Sequence, residues 1–233
     1  MTPGTLARYR NIVVLTGAGI SHSAGLPTYR GPGGLWNDPE LERLTDVSAL
    51  TSRRKEVCAM FWRFHQSILP VEPTPAHRAL AAFEAALPAT TKFLIITQNI
   101  DGLHQRAGSQ RVCEYHGTLM RWRCEVCGRE LEPAGRELPL HCAMLMRPAI
   151  VMFGEMIPSE AGQAAKRALR DCDLFVAIGT SGTVFPASGF VRWAESNGAR
   201  RVLLNLEISD DARDEFSECH AGIADELVPR LFG

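Results

Sequence analysis

The chain has 233 residues, 45% hydrophobic and 22% charged, a mixture that predicts a globular body of one or two domains with a sizeable core and excludes disordered or collagen-like chains. Its 25 Lys and Arg residues against 26 Asp and Glu leave a net charge of −1, so no general basic field exists to attract nucleic acid or an anionic membrane, and neither is expected as a partner. The longest apolar run, residues 57–62, falls far short of the roughly 20 residues that cross a bilayer. The opening MTPGTLARYRN carries no apolar signal stretch, and the seven cysteines are scattered except for Cys124 and Cys127. A cytoplasmic, reducing setting with a possible metal site is therefore expected in place of a disulfide framework.

In chain order, residues 12–15 form the first short β-branched run and read as a buried strand. After the glycine-rich GPGGLW, residues 53–66 carry Met60, Phe61, Trp62 and Phe64 and predict a helix. Residues 75–87, Ala-rich with apolar positions at helical spacing, predict another, and residues 93–96 a second strand. Residues 112–115 are a weaker strand candidate, because Cys113 and Glu114 occupy the centre. Further on, residues 159–169 read as helix, 174–178 and 202–204 as buried strands, and 210–232 as a last helix or two. This alternation predicts an α/β fold: a doubly wound parallel Rossmann-like sheet with helices on both faces. Two stretches interrupt it. Residues 31–69 and 119–146 read as insertions that pack together as a small module, one part helical and one zinc-ribbon-like, beside a large domain of residues 1–30, 70–118 and 147–233. No Ser- or Gly-rich linker separates the two, which predicts a shared cleft.

Polar constellations stand where three predicted strands stop. The first strand runs into Gly17-Ala18-Gly19-Ile20-Ser21 and Gly25, a turn whose backbone N–H groups can approach a pyrophosphate without Cβ interference. Its GxGx5G spacing departs from the GxGxxG dinucleotide fingerprint, and a tight structural turn reads equally well. Next is Thr97-Gln98-Asn99-Ile100-Asp101-Gly102-Leu103-His104, directly after residues 93–96. Polar side chains at a strand's carboxyl end face the crevice where open α/β sheets bind ligands, with an Asx turn at Asp101-Gly102 as the plain alternative. Glu114-Tyr115-His116-Gly117 is the third. His116 there is either a base, since unperturbed imidazole titrates at about 6.5, or a satisfied structural residue. His22, His65, His77 and His220 are predicted in loops or helices with no polar cluster around them.

With Gly25-Leu26-Pro27-Thr28-Tyr29-Arg30, Gly34-Leu35-Trp36, Arg147-Pro148, Val151, Phe153-Gly154-Glu155, Gly179-Thr180-Ser181, Val184, Pro186-Ala187 and Asn205, these segments occur in one order over most of the chain. In that order they resemble the sirtuins, the Sir2 family of NAD-dependent protein deacylases, in its bacterial-type core. The resemblance implies NAD bound in an extended pose and an acyl-lysine protein substrate entering between the two modules. It implies that nicotinamide is expelled by the acyl oxygen at C1′ of its ribose, and that His116 then deprotonates a ribose hydroxyl; water finally yields deacylated lysine and O-acyl-ADP-ribose. By the same resemblance, Asn99 and Asp101 join His116 as catalytic residues. Gly17, Ala18, Gly19, Ser21, Pro27, Tyr29, Arg30, Gln98, Ile100, Gly179, Thr180, Ser181 and Asn205 surround the NAD, and Val151, Phe153 and Gly154 pair with the acyl-lysine peptide.

Two departures from the family pattern stand out. A sirtuin zinc ribbon uses two Cys-x-x-Cys pairs, whereas here Cys124 and Cys127 are followed only by Cys142, with Pro139 where a third cysteine is expected. Either the three cysteines hold zinc with water or His141, or the ribbon has lost its metal; adjacent residues seldom share one ion, so His141 requires a rearranged loop. In the helix of the small module, Phe61 and Phe64 stand where sirtuins preferring succinyl-lysine resemble one another in a Tyr-x-x-Arg pair, which implies a neutral acyl group. An ADP-ribosyltransferase or NAD glycohydrolase on the same scaffold is the alternative reading.

Overall fold

The computed structural model describes residues 6, 8–28, 34, 37–180 and 189–233. Its elements run β1 (Asn11–Thr16), α1 (Pro39–Leu44), α2 (Ala49–Ser52), α3 (Arg54–Ile68), α4 (Pro75–Ala86), β2 (Lys92–Thr97), α5 (Leu103–Arg106), β3 (Val112–Glu114), β4 (Gly117–Arg123), β5 (Glu130–Leu131), β6 (Leu140–His141), β7 (Met144–Leu145) and β8 (Arg147–Ile150). There follow α6 (Ser159–Arg170), β9 (Leu174–Ile178), α7 (Phe190–Ser196), β10 (Arg200–Asn205), α8 (Asp210–Glu215), β11 (Glu218–Ala221) and α9 (Ala224–Phe232).

Six parallel strands form the main sheet in the order β11-β10-β9-β1-β2-β3. Burial of every residue of β9 and of Ile12 to Thr16 in β1 reflects helices on both faces, which is why these strands read as continuous apolar runs. Alternation still sorts the side chains. Ile12, Val14, Ile95 and Val176 pack with Leu80 of α4 and Val228 of α9, while Val13, Leu15, Phe175 and Leu203 pack with Leu169 of α6 and Phe190 of α7. The strand order reverses between β1 and β9, and the carboxyl ends of such a pair open the ligand crevice of a doubly wound sheet.

A third core joins α3, through Val57, Met60, Phe61 and Trp62, to Leu119, Trp122, Met146 and Ile150. Its sheet is antiparallel, β5-β4-β8. Residues 147–150, where the sequence begins the last stretch of the large domain, pair with β4 here, and Pro148 is tolerated because β8 is an edge. The stretch expected as one or two terminal helices also contains β11, whose residues Glu-Cys-His-Ala carry no β-branched side chain to announce a strand. No helix among the described residues is long and apolar enough to cross a membrane.

Candidate active site

At the switch point the loops after β1 and β9 lie backbone to backbone. The Gly19 N–H donates to the Gly179 carbonyl at 2.9 Å and the Gly17 N–H to that of Ile178 at 3.0 Å. A Cβ on Gly19 would stand 2.6 Å from the Gly179 Cα, so these glycines serve loop-on-loop packing. The Gly17 and Gly19 amides are thus already bonded within the protein, in keeping with the tight structural turn that the sequence offered beside a phosphate site.

A cleft of about 1140 Å³ opens above this junction. Gly17, Ala18, Gly19, Gln98, Asn99 and Ile100 line it, with His116 beside them, Gly179, Thr180 and Asn205 at one end, and Val151, Phe153 and Gly154 at the other. Leu206, Gly222 and Ile223, which the sequence reading missed, extend the Asn205 end; their position just after β10 and β11 was the available signal. Ser21, Pro27 and Asp101 face a second, smaller cavity of about 90 Å³ that shares Ala18, Thr45, Phe61, Asn99 and Ile100 with the cleft. The expectations for Tyr29, Arg30 and Ser181 lie outside the described residues.

Hydrogen bonds fix the polar groups in turn. Asn99 Nδ2 donates to the Gly17 carbonyl at 3.1 Å and to Ser21 Oγ at 3.2 Å, and Ser21 Oγ donates to Asp101 Oδ2 at 2.7 Å. Asn99 Oδ1 is left buried with no hydrogen-bond partner, a costly arrangement that an incoming donor relieves. Gln98 Nε2 donates to Thr180 Oγ1 at 2.9 Å, and Asn205 Nδ2 to the Thr180 carbonyl at 3.4 Å.

His116 Nδ1 lies 3.1 Å from the Gln98 carbonyl, which can only accept, so Nδ1 carries the hydrogen and Nε2 keeps its lone pair. Burial pushes its pKa below the ordinary imidazole value, against the opposing pull of that carbonyl, and the ring is neutral near pH 7. The next residue can only be glycine. Gly117 has φ of +74°, and a Cβ there would meet the Ala149 carbonyl oxygen at 2.2 Å as β4 enters its pairing with β8.

Two histidine expectations fail. His220 lies in β11 with Nε2 2.7 Å from Glu218 Oε1, a carboxylate that also pairs with Arg200. His77 has a polar cluster around it: Nδ1 sits 2.8 Å from Thr74 Oγ1 in the capping box of α4, and its ring centroid lies 4.7 Å from that of buried His104. His104 Nε2 in turn reaches Thr16 Oγ1 at 2.9 Å. Burial pushes His77 down to about 4 and His104 well below its ordinary value, so both rings are neutral beneath Asp101.

A sequence profile of the Sir2 family matches residues 17–186. The chain belongs to the Sir2 family. It is 41% identical to NAD-dependent protein deacylase 2 of Pyrobaculum aerophilum, over 97% of this chain and 91% of that protein. Its fold is similar to that of a Sir2 homologue in complex with NAD, with TM-score 0.86, 33% identity and coverage of 97% and 89% of the two chains. A Sir2 variant solved with a deacetylated p53 peptide and 3′-O-acetyl ADP-ribose is similar with TM-score 0.81 and 29% identity, over 99% of this chain and 97% of that one.

The ribbon brings four potential metal ligands together. Cys124, Cys127, His141 and Cys142 gather their ligand atoms within 4.8 Å of one another. His141 Nδ1 lies 3.4 Å from Cys127 Sγ and 3.2 Å from Cys142 Sγ, close to the S···N edge of about 3.5 Å expected of a tetrahedral zinc with Zn–S of about 2.3 Å and Zn–N of about 2.0 Å. The rearranged loop is visible. Cys142 and Ala143 adopt φ of 48° and 59° between β6 and β7, and this left-handed turn folds Cys142 back beside His141. Hydrogen bonding, chiefly from the Cys127 backbone N–H, pulls the Cys124 thiol down to about 6, while its contact with the Cys127 sulfur pushes Cys142 up to about 11. The three expected cysteines thus gather with His141, the alternative to water as fourth donor, in a Cys₃His cluster compatible with zinc.

Proposed function

We propose that this chain is an NAD-dependent protein lysine deacylase in which His116 is the general base. The observation that carries the assignment is the 3.1 Å contact of His116 Nδ1 with the Gln98 carbonyl, which assigns the hydrogen to Nδ1 and leaves Nε2 the basic nitrogen of a ring lining the cleft with Asn99. Binding alone would need no such base. NAD, the co-substrate, supplies an activated ribose carbon whose bond to nicotinamide breaks.

Around that carbon each residue has a distinct task. Asn99, with Oδ1 unpaired and Nδ2 tethered, suits the nicotinamide amide, and Asp101, steadied by Ser21 and by the Leu103 N–H at 3.0 Å, suits its ribose end. Gly17, Ala18, Gly19, Gln98, Gly179, Thr180 and Asn205 shape the opposite end for the phosphates and adenosine. Residues 151–154 form the edge for the acyl-lysine peptide. The Val151 N–H is tied to the His116 carbonyl at 2.8 Å and the Phe153 N–H to that of Thr45 at 3.0 Å, which sets the edge against both modules. Zinc at Cys124, Cys127, His141 and Cys142 would close the ribbon structurally and take no part in bond making.

A neutral acyl group follows if the acyl chain enters the smaller cavity on its Phe61 and Phe64 side, away from Asn99 and Asp101. Leu26, Leu41, Met60, Phe61, Phe64 and Leu119 line it, Asp101 is the single charged residue of its lining among the described residues, and Arg63 is exposed on the other side of α3. The experiment for the base is His116→Ala: deacylation falls by about 10²–10⁴ while ADP-ribose affinity holds. A variant keeping more than about a tenth of wild-type turnover in saturating NAD removes His116 from that role.

A further inference from the structure

The side chain of Arg147 is fully buried, and its partners come from two different parts of the molecule. On one side its guanidinium grips Glu155 with both arms, Nη1 to Oε1 at 2.6 Å and Nη2 to Oε2 at 2.8 Å, while Nη2 also donates to the Ile150 carbonyl at 3.1 Å. Glu155 Oε2 in turn accepts the Met152 N–H at 2.8 Å. The two ends of the peptide edge, Ile150 and Glu155, are thus fastened to one cation. On the other side Nη1 faces Glu125 Oε1 at 3.5 Å. Glu125 stands between Cys124 and Cys127 and is also ion-paired to Arg54, whose Nη1 donates to the Leu145 carbonyl at 3.3 Å.

We propose that Arg147 is a positioning residue that sets the acyl-peptide edge, and that through Glu125 it couples this edge to the metal knuckle, so that zinc and acyl-peptide favour each other's binding. The physical basis is geometric. A buried planar fork shared by partly exposed Glu155 and the more exposed Glu125 has one arrangement satisfying both, and displacing either shifts the fork. A knuckle closed on zinc fixes the backbone of Glu125, and a knuckle without it leaves that carboxylate free to turn outward. The remaining partner, Glu155, then carries the cation alone, with the edge following. Because coupling between bound ligands is reciprocal, the peptide must hold zinc as strongly as zinc holds the peptide.

The inference rests on the deacylase reading, and its test separates the two. Anisotropy of a labelled acetyl-lysine peptide in saturating ADP-ribose measures peptide affinity in zinc-loaded and chelator-stripped whole protein, for wild type, Glu125→Gln and Arg147→Lys. Zinc transfer to a colorimetric chelator is followed with and without unlabelled peptide. In wild type, stripping weakens peptide binding about tenfold and peptide strengthens zinc retention by a similar factor. Glu125→Gln, on the rim of the network, still binds one zinc but loses most of that coupling. Arg147→Lys, with one ammonium in place of a fork, weakens peptide binding even when zinc-loaded and raises peptide KM far more than it lowers kcat. Intrinsic ADP-ribose affinity stays constant in all three, which a general loss of folding would not allow. Peptide affinity indifferent to zinc, or coupling of full size in Glu125→Gln, overturns the inference while leaving the deacylase reading intact. Failure of every form to bind acyl-peptide overturns both.

Discussion

Butyryl-lysine and succinyl-lysine differ at the far end of one chain, where a methyl group is replaced by a carboxylate, and this cavity distinguishes them. A terminal methyl buried among Met60, Phe61 and Phe64 gains about 0.8 kcal/mol per carbon. A carboxylate in the same place loses its hydration and meets no cation among the described residues, a cost of several kcal/mol when no hydrogen bond compensates. Asp101, in the same lining, adds like-charge repulsion. The difference comes to at least about 3 kcal/mol, or about 10²-fold in kcat/KM. The assay is a competition among acetylated, butyrylated and succinylated forms of one peptide at limiting enzyme. Phe61→Tyr with Phe64→Arg supplies the missing cation and narrows the gap. A wild-type preference for succinyl-lysine would refute the reasoning, because a cation such as Arg63 would then have to reach the cavity.

Three further outcomes follow from the site. Asn99→Ala and Asp101→Asn each lower nicotinamide exchange by about 10²-fold, as misplacing the scissile bond by about 1 Å would, and near-normal exchange in both would exclude them from the site. The protein purifies with one zinc per chain, and His141→Ala lowers that content and hastens loss to chelator; unchanged content would discard His141 as a ligand. His65, His77, His104 and His116 all have folded pKa values below the ordinary 6.5, so the unfolded chain binds more protons in the acid range. Stability is present above about pH 6.5 and is lost as pH falls toward about 4, the folded value of His77, which the urea midpoint against pH will report. A midpoint flat over that window would contradict the burial of these rings.

Most of the sheet was legible because strands covered on both faces cannot help being apolar throughout, as Leu174 to Ile178 illustrate. β11 was not, because an edge strand of partly buried polar residues has no such constraint. The polar groups after β2 and at His116 stood out from strand ends alone. Their connection to Ser21, by contrast, depends on the loop after β1 meeting the one after β2, a contact about 80 residues apart in sequence. The His77–His104 pair was missed for the same reason. His141 stood only as an alternative to water in the sequence, since adjacent ligands need an unusual backbone. That backbone is supplied by left-handed Cys142 and Ala143, neither of them a glycine that would have marked the turn.

Product stoichiometry measured by mass spectrometry, with pure protein, NAD and one acetylated peptide, tests the central claim most directly. The account predicts nicotinamide, deacylated peptide and O-acetyl-ADP-ribose in equal amounts, all abolished together in His116→Ala. Nicotinamide accompanied by free ADP-ribose or by ADP-ribosylated protein, with the peptide still acetylated, would contradict it.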